Sequence, residues 1–123
     1  MRTEEVLFFT EKEEKFVDLL VMLGMKKNSA AILVYLSNVP KAASHEIERG
    51  TGLRQPEVSV AIRFLTDRGW VKSYEDHAEK SGRPAKIFML SKPVSEILED
   101  FGDAKKQETA NALARVKKLR TYL

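Results

Sequence analysis

The stretch from Ser44 to Leu90 constrains the fold of this chain more than any other part of its sequence. It predicts two short helices separated by a glycine-containing turn at Thr51-Gly52, followed by two strands around a polar loop. Glycine takes the positive φ that a helix end needs, and Pro56 has a φ suited to the first turn of the second helix. Leu53 supplies an apolar side chain between the two crossed helices. This order of elements indicates a helix-turn-helix followed by a β-hairpin.

The second of these helices is predicted to run over residues 56–68 and to have one apolar face. Counting about 100° per residue places one set of side chains on a common arc, which we expect to face the core. This set comprises Val58, Ala61, Ile62 and Leu65. The opposite face carries Ser59, Arg63 and Asp67, flanked by Val60 and Phe64. The helix therefore presents a hydroxyl and a guanidinium group to whatever lies outside it.

These outward side chains are candidates for contact with nucleic acid, because the second helix of a helix-turn-helix can enter a major groove. Arg63 is the first candidate, since its guanidinium can bond guanine at two positions or hold a phosphate. The other candidates on the helical part are Arg54, Gln55, Ser59 and Ser44, the last of which we also expect to cap the first helix. An outward arginine is also an ordinary solvated side chain, and the neighbouring hairpin is what favours the DNA contact.

The hairpin is predicted from two β-rich runs, Trp70–Tyr74 and Ala85–Leu90, with a polar loop over residues 75–84 between them. Lys80 and Arg83 in this loop suit a phosphate or the minor groove beside a docked helix. Three acidic residues in the same loop reduce its positive charge. A helix-turn-helix with such a hairpin is a winged helix, so the predicted fold class is mainly α with a small β-hairpin.

The sequence from Thr51 to Val71, T-G-L-x-x-P-x-V-S-x-A-I-x-x-L-x-x-R-G-W-V, is followed by S-G-R-P-A-K-I-F at residues 81–88. This combination resembles prokaryotic winged-helix transcription regulators, most of all the archaeal TrmB-like and the MarR/ArsR-like groups. The resemblance covers residues 26–93. It implies that Ser59 and Arg63 lie on the DNA face and that Arg83 lies in the wing. Val60 and Phe64 depart from it, because such regulators usually carry polar or solvated residues at these two positions.

Two helices are predicted before this stretch. Thr10 and Glu13 have the spacing of a capping box, and apolar residues follow at helical spacing until Gly24. A second helix is expected to begin at Asn28, as its capping residue, and to end before Pro40. We therefore divide the chain into an N-terminal helical extension (residues 1–25), a winged helix-turn-helix DNA-binding domain (26–92) and a C-terminal helix (93–123).

The C-terminal segment, residues 93–123, is predicted to form one helix about 46 Å long. Its apolar residues keep one heptad phase at first and a second phase, displaced by one residue, towards the end. The second set consists of Ala112, Val116, Leu119 and Leu123. A helix of this length cannot bury such a seam on so small a domain, so we expect a homodimer through this helix. The alternative is that the segment folds back onto its own domain or frays after Gly102.

Composition limits the remaining classes of function. The chain has 123 residues, 43% of them hydrophobic and 32% charged, and no cysteine. It has no apolar run of the roughly 20 residues that cross a bilayer, and its first residues lack a signal-peptide pattern, so a cytoplasmic, non-membrane protein is expected. No phosphate loop, nucleophile–base arrangement or zinc-type spacing occurs, which predicts no enzyme activity, no metal and no cofactor.

The net charge of +3 is small, but its distribution favours nucleic acid. Residues 52–92 hold eight basic against five acidic residues, whereas residues 1–51 hold seven against eight. The function predicted is a sequence-specific regulator of transcription that binds double-stranded DNA as a homodimer, with residues 56–68 in the major groove and residues 75–84 on the backbone or in the minor groove. The alternative is a winged helix that makes only protein contacts within a larger assembly, which outward Val60 and Phe64 would favour. No pocket for an effector is recognisable in the sequence.

Overall fold

The computed structural model describes residues 9–77 and 84–123. The chain divides into two compact units, Met1–Lys92 and Pro93–Leu123. The described residues contain five helices and three strands. In chain order these are α1 (Glu11–Met22), α2 (Lys27–Asn38), β1 (Ala42–Ala43), α3 (Ser44–Thr51), α4 (Gln55–Asp67), β2 (Val71–Asp76), β3 (Ala85–Leu90) and α5 (Val94–Arg120). The predicted fold class, mainly α with a small β-hairpin, is confirmed, and β1 adds a third strand to the hairpin.

The capping box predicted for α1 is present. The Thr10 backbone N–H donates to Oε1 of Glu13 at 2.7 Å, and the Glu13 N–H donates to Oγ1 of Thr10 at 3.1 Å. The other carboxylate oxygen of Glu13 accepts a hydrogen bond from Nδ2 of Asn38 at 2.7 Å. One side chain therefore closes the start of α1 and joins it to the end of α2.

Two other predicted caps are wrong. Asn28 lies inside α2, whose N-cap is Lys26 and has no side-chain cap hydrogen bond. Ser44 is the first residue of α3 rather than its cap, because the chain enters that helix directly from β1 with Ala43 in extended geometry. The Ala43 N–H donates to Oε1 of Glu46 at 2.7 Å, which is the half of a capping box that the third helical residue supplies.

The turn between α3 and α4 follows the predicted geometry. Gly52 ends α3 with φ 77°, in the left-handed region, and its N–H donates to the Glu48 carbonyl at 2.8 Å. α4 begins at Gln55, one residue before the predicted start, and Arg54 is its N-cap. The Arg54 N–H donates to Oε1 of Glu57 at 2.9 Å. Pro56 costs no hydrogen bond, because the first N–H groups of a helix have no partner within it.

α2 is the central helix of the first unit, where it contacts α1, α3, α4 and β3. Every residue from Ser29 to Leu36 is buried. The largest fully buried side chains of this unit are Ile32, Leu33, Ile47, Leu65, Val34 and Val58. Each of them contributes roughly 1.5–3 kcal/mol by leaving water. Since they come from α2, α3 and α4, burial on one core fixes the orientation of α4.

α2 and α3 approach each other most tightly at Gly50. A Cβ atom added to this glycine would lie 2.2 Å from Cε1 of Tyr35, so a side chain here would have to displace the tyrosine ring. Tyr35 is only 8% exposed. Burial raises the pKa of its hydroxyl above the usual 10.0; the Glu46 carboxylate raises this pKa as well, and Arg49 lowers it.

The three strands form one antiparallel sheet in the order β1-β3-β2. The short strand β1, which was not predicted, pairs Ala42 with Phe88 and Ala43 with Ile87. β2 starts one residue later and ends two residues later than predicted, so residues 75 and 76 belong to the strand rather than to the loop. Burial does not alternate along β2, because residues 72–75 are all exposed. The hairpin therefore continues beyond the apolar core.

The second unit is the helix α5, 27 residues long and continuous through Gly102. Ile97 and Phe101 are buried in its first half, whereas every residue from Lys106 to Leu123 is exposed. The exposed residues include Leu113, Val116 and Leu119, at 65%, 52% and 64%. No helix among residues 9–77 and 84–123 combines the length and the apolar character that a membrane span requires.

Candidate nucleic-acid interface

α4 buries the face that was predicted to be buried. Val58, Ala61, Ile62 and Leu65 are its buried residues. On the opposite side, Ser59, Val60 and Arg63 are exposed. At about 100° per residue, Val60 and Arg63 lie on either side of the direction that points away from the core, about 30° from it in each case. Pro56 and Asp67, also exposed, point still closer to that direction, so the outward surface of the helix carries two apolar side chains, one cationic and one acidic.

Phe64, which was predicted to flank the outward face, is half-buried at its side. Its ring packs edge-to-face on Trp70, with ring centroids 6.4 Å apart. The Arg68 guanidinium lies over both rings, 4.9 Å from the centre of Phe64 and 5.5 Å from that of Trp70. Aromatic and cation–π contacts of this kind favour the half-buried position. Arg68 is thereby held at the end of the helix.

One face of the sheet is directed towards α4. In the β2–β3 register, Ser73 lies opposite Phe88 and Glu75 lies opposite Lys86. Because paired residues and alternate residues of a strand share a face, Ser73, Lys86 and Phe88 lie on the same side of the sheet. The Lys86 ammonium is 5.9 Å from the centre of the Phe88 ring. By the same rule Glu75 shares this side, so the helix-facing side of the wing carries a positive charge beside a carboxylate.

An open groove of about 470 Å³ lies between α4, the start of α3 and this face of the sheet. Its lining residues are Ser44, Gln55, Val58, Ser59, Ile62, Arg63, Thr66, Asp67, Ser73, Lys86 and Phe88. Four of them carry hydroxyl groups, two are cationic and one is acidic. Hydroxyl, amide, guanidinium and ammonium groups are the donors that proteins use on phosphate oxygens and base edges. We call this surface the α4–wing groove.

The groove brings together four of the seven residues predicted to contact DNA. Ser44, Gln55, Ser59 and Arg63 all line it. Arg54 is exposed at the N-cap of α4 and does not line the groove. The other two, Lys80 and Arg83, fall outside the residues that the structure describes.

Sequence reasoning missed three polar residues of the groove, Thr66, Ser73 and Lys86. Lys86 could have been found from alternation, because it stands two residues before the apolar Phe88 and so shares its side of the strand. Ser73 depends on the register between β2 and β3, which the sequence does not specify through the polar loop. Thr66 lies one turn of helix beyond Arg63 and Ile62 and could have been found from helical spacing.

The exposed end of α5 offers a second candidate surface. Ala112, Val116 and Leu119 lie within about 60° of one another around the helix axis, and Leu123 follows beyond the end of the helix. All four are exposed in the described part of the chain. A narrow apolar stripe with a spacing of four, three and four residues is typical of a helix that pairs with another helix. We call it the α5 stripe.

The potential metal ligands are scattered in the described residues. Among residues 9–77 and 84–123, no three His, Cys, Asp or Glu side chains lie close enough together to hold a metal ion.

No protein-family model matches this sequence, and none of the curated proteins matches it either. Solved structures do match its fold. A possible transcriptional regulator from Methanosarcina mazei Go1 superposes with a TM-score of 0.63 and 13% identity, covering 81% of this chain and 82% of the other. Wild-type MarR from E. coli, in its apo form, gives a TM-score of 0.55 and 15% identity over 90% of this chain and 87% of the other.

A third structure is that of TrmBL2, an archaeal chromatin protein for which a novel mode of DNA binding is described. It superposes with a TM-score of 0.65 and 17% identity over 88% of this chain, but over only 39% of its own. At these identities the likeness concerns the fold. The chain therefore has the winged-helix fold of MarR- and TrmB-type proteins, as its sequence pattern predicted.

Proposed function

We propose that this chain is a transcriptional regulator that binds double-stranded DNA, with α4 in the major groove and the β2–β3 hairpin beside the sugar–phosphate backbone. The observation that carries the proposal is the α4–wing groove, in which Arg63 and Lys86 line the same surface as four hydroxyl side chains. Such donors fix a protein on phosphate oxygens and read base edges. The likeness in fold to a structure described as a possible transcriptional regulator supports the same conclusion.

The two sides of α4 have different roles in this proposal. Arg63 belongs to both the groove and the outward surface, so its guanidinium can reach a guanine edge while remaining next to the backbone. Ser44, Ser59 and Lys86 lie on the groove side and contact phosphates, which positions the helix without reading sequence. Arg54, at the N-cap, is exposed beside the first turn of α4 and adds a further phosphate contact.

We also propose that two copies associate through the α5 stripe. Residues 93–123 then serve as a dimerisation helix, residues 26–92 as the DNA-binding domain and residues 1–25 as an N-terminal extension. A two-fold dimer would carry two reading helices and match a pseudo-palindromic site. Its half-sites would be spaced by about 34 Å, one turn of the duplex, or by a multiple of it. Dimerisation raises the affinity for DNA by adding a second DNA-binding domain, since the positive charge of one domain is small.

The proposal is tested by titrating the protein into a fluorescently labelled duplex from the region upstream of its own coding sequence, at several salt concentrations. A scrambled duplex of equal length is the control. Anisotropy should report tighter binding to the first duplex, and log K should fall with log salt by about 0.9 per neutralised phosphate. Absence of binding to both duplexes at low salt would reject DNA binding. The alternative, a module for protein contacts, would then be favoured by the exposed side chain of Val60.

The role of Arg63 is tested in the same titration. Arg63→Ala should weaken specific binding by roughly 1–3 kcal/mol and relax the preference for the specific over the scrambled duplex, because a base contact is lost. Lys12→Ala is a suitable control, since it removes the same charge from an exposed position on α1. Equal losses in the two variants would assign the effect to net charge rather than to a contact.

A further inference from the structure

Val60 is the exposed large apolar side chain of α4, with 71% of its surface accessible. A single exposed apolar residue on a protein surface is ordinary. The position of Val60 is what distinguishes it, because it lies in the middle of the outward surface of the helix proposed to enter the major groove. A partner that binds the outward surface of α4 therefore contacts the Val60 side chain.

Val60 and Arg63 form the centre of that surface together. They lie about 60° apart around the helix axis and about 4.5 Å apart along it. A base contacted by Arg63 is therefore within one or two base pairs of whatever Val60 contacts, since successive base pairs are about 3.4 Å apart along each strand. Pro56 and Asp67, which share the same angular direction, stand one turn away at either side.

The surroundings of Val60 do not form an apolar patch of the kind that marks a protein interface. Of its neighbours three or four residues away, Glu57 and Arg63 are charged, and the ring of Phe64 is covered by Arg68 at 4.9 Å. Only Pro56 adds exposed carbon. Protein interfaces usually have a contiguous apolar core several residues wide. The isolated isopropyl group of Val60 is instead suited to an apolar contact with a group as small as one methyl.

The major groove offers one such partner, because the C5 methyl of thymine is the apolar group on its base edges. We propose that Val60 contacts a thymine methyl beside the base that Arg63 reads, and so makes the preferred site contain thymine at that position. This inference rests on the proposed function, since it requires α4 to lie in the major groove. Val60 stands where the regulators that this sequence resembles usually carry a polar residue. On this inference the valine contributes to the choice of DNA sequence and does not simply weaken DNA binding.

The test begins with a duplex selected for binding to the wild-type protein from a pool with 20 randomised base pairs. Each thymidine of the selected duplex is then replaced, one at a time, by deoxyuridine, which lacks only the methyl group. At one position in each half-site we expect wild-type binding to weaken about fourfold, the equivalent of one methyl-sized apolar group. Val60→Ala should bind the unmodified duplex no more tightly than the wild type binds the deoxyuridine duplex. Its own affinity should not fall further when deoxyuridine is introduced at that position.

The variant itself should fold normally, because Val60 is exposed and alanine is the better helix former. Met22→Ala is a matched control, since Met22 is 79% exposed on α1; its affinity and deoxyuridine profile should equal those of the wild type. Wild-type binding that is insensitive to deoxyuridine at every position would overturn the inference while leaving DNA binding intact. Unchanged deoxyuridine sensitivity in Val60→Ala would overturn it as well. If the wild type selects no duplex at all, both the Val60 inference and the proposed function are rejected.

Discussion

At the scale of single residues, the tightest constraint in the first unit is the contact between Gly50 and the ring of Tyr35. Three ring carbons lie within 2.8 Å of the place that a Cβ atom at residue 50 would occupy. The ring belongs to a residue that is only 8% exposed, so a substituted residue 50 would have to displace a buried group. Gly102, in α5, has no atom within 4 Å of the corresponding position.

Gly50→Ala should therefore destabilise the protein, by about 2 kcal/mol, because an inserted methyl group in a packed interior costs roughly 1–3 kcal/mol. The midpoint of thermal unfolding should fall by about 10 °C. Gly102→Ala is the matched control and should raise stability by up to about 1 kcal/mol, since alanine favours a helix over glycine. Circular dichroism of both variants during heating measures the two shifts; a Gly50→Ala protein as stable as the wild type would contradict the close approach.

Tyr35 gives the stability of the fold a dependence on high pH. Burial, assisted by Glu46, raises the pKa of its hydroxyl above the usual 10.0, so the folded state favours the neutral phenol. The contribution is complete below pH 10 and is lost as pH rises through the raised pKa of the folded state. Urea unfolding between pH 8 and pH 11 should show a steeper loss of stability in the wild type than in Tyr35→Phe. Parallel curves for the two proteins would argue against the burial of this hydroxyl.

At the scale of secondary structure elements, the α4–wing groove predicts that the two faces of the hairpin differ. Lys86 lies on the face directed towards α4, whereas Lys72 pairs with Met89 and lies on the opposite face. Both lysines are exposed. Only Lys86 is placed to contact a strand of DNA that runs along the groove.

Lys86→Ala should weaken binding to specific and scrambled duplexes alike and reduce the salt slope by about one unit, because one phosphate contact is lost. Lys72→Ala removes the same charge from the other face and should leave the slope within error of the wild type. The measurement is anisotropy over a series of salt concentrations. A larger effect from Lys72 than from Lys86 would place the DNA on the other side of the sheet.

The elements themselves could be predicted well from the sequence, because glycine and proline restrict the backbone directly. Gly52 and Pro56 located the turn of the helix-turn-helix to within one residue. Caps were less predictable, since α3 begins one residue earlier than expected and its N-cap N–H is bonded by the Glu46 carboxylate. The strand β1 has only two residues, both alanine, and its pairing depends on distant Phe88 and Ile87.

The candidate site could be predicted only in part, for a related reason. Residues on α4 follow from helical periodicity, so Ser59 and Arg63 were placed correctly on its exposed side. Contacts between elements do not follow from any local pattern. The half-burial of Phe64 depends on Trp70 and Arg68, and the position of Ser73 depends on strand register.

At the scale of the whole molecule, the α5 stripe is the exposed apolar feature that a second copy would cover. Leu119 lies within it, and Ala114 lies on the opposite side of the same helix, about 180° from the centre of the stripe. Both positions are exposed. They allow one negative charge to be added to either face of α5 without disturbing a buried side chain.

Leu119→Glu should dissociate the proposed dimer, because it removes apolar area from a helix pair and places like charges opposite each other. Ala114→Glu is the control. It adds the same charge on the side of α5 opposite the stripe, so this variant should remain dimeric. Sedimentation velocity distinguishes the two masses. A wild-type protein that sediments as a monomer, or a Leu119→Glu protein that stays dimeric, would remove the α5 stripe from the proposal.

The close approach of Gly50 and Tyr35 also bears on how this sequence can diverge. A side chain at the position of Gly50 fits without displacement only where the ring at the position of Tyr35 has been replaced by a smaller residue, whereas glycine fits beside either. The two positions should thus change together and in that order, the ring first. Pairs of substitutions of this kind would trace the packing of α2 on α3 through sequences too distant for the DNA-contacting residues to be aligned.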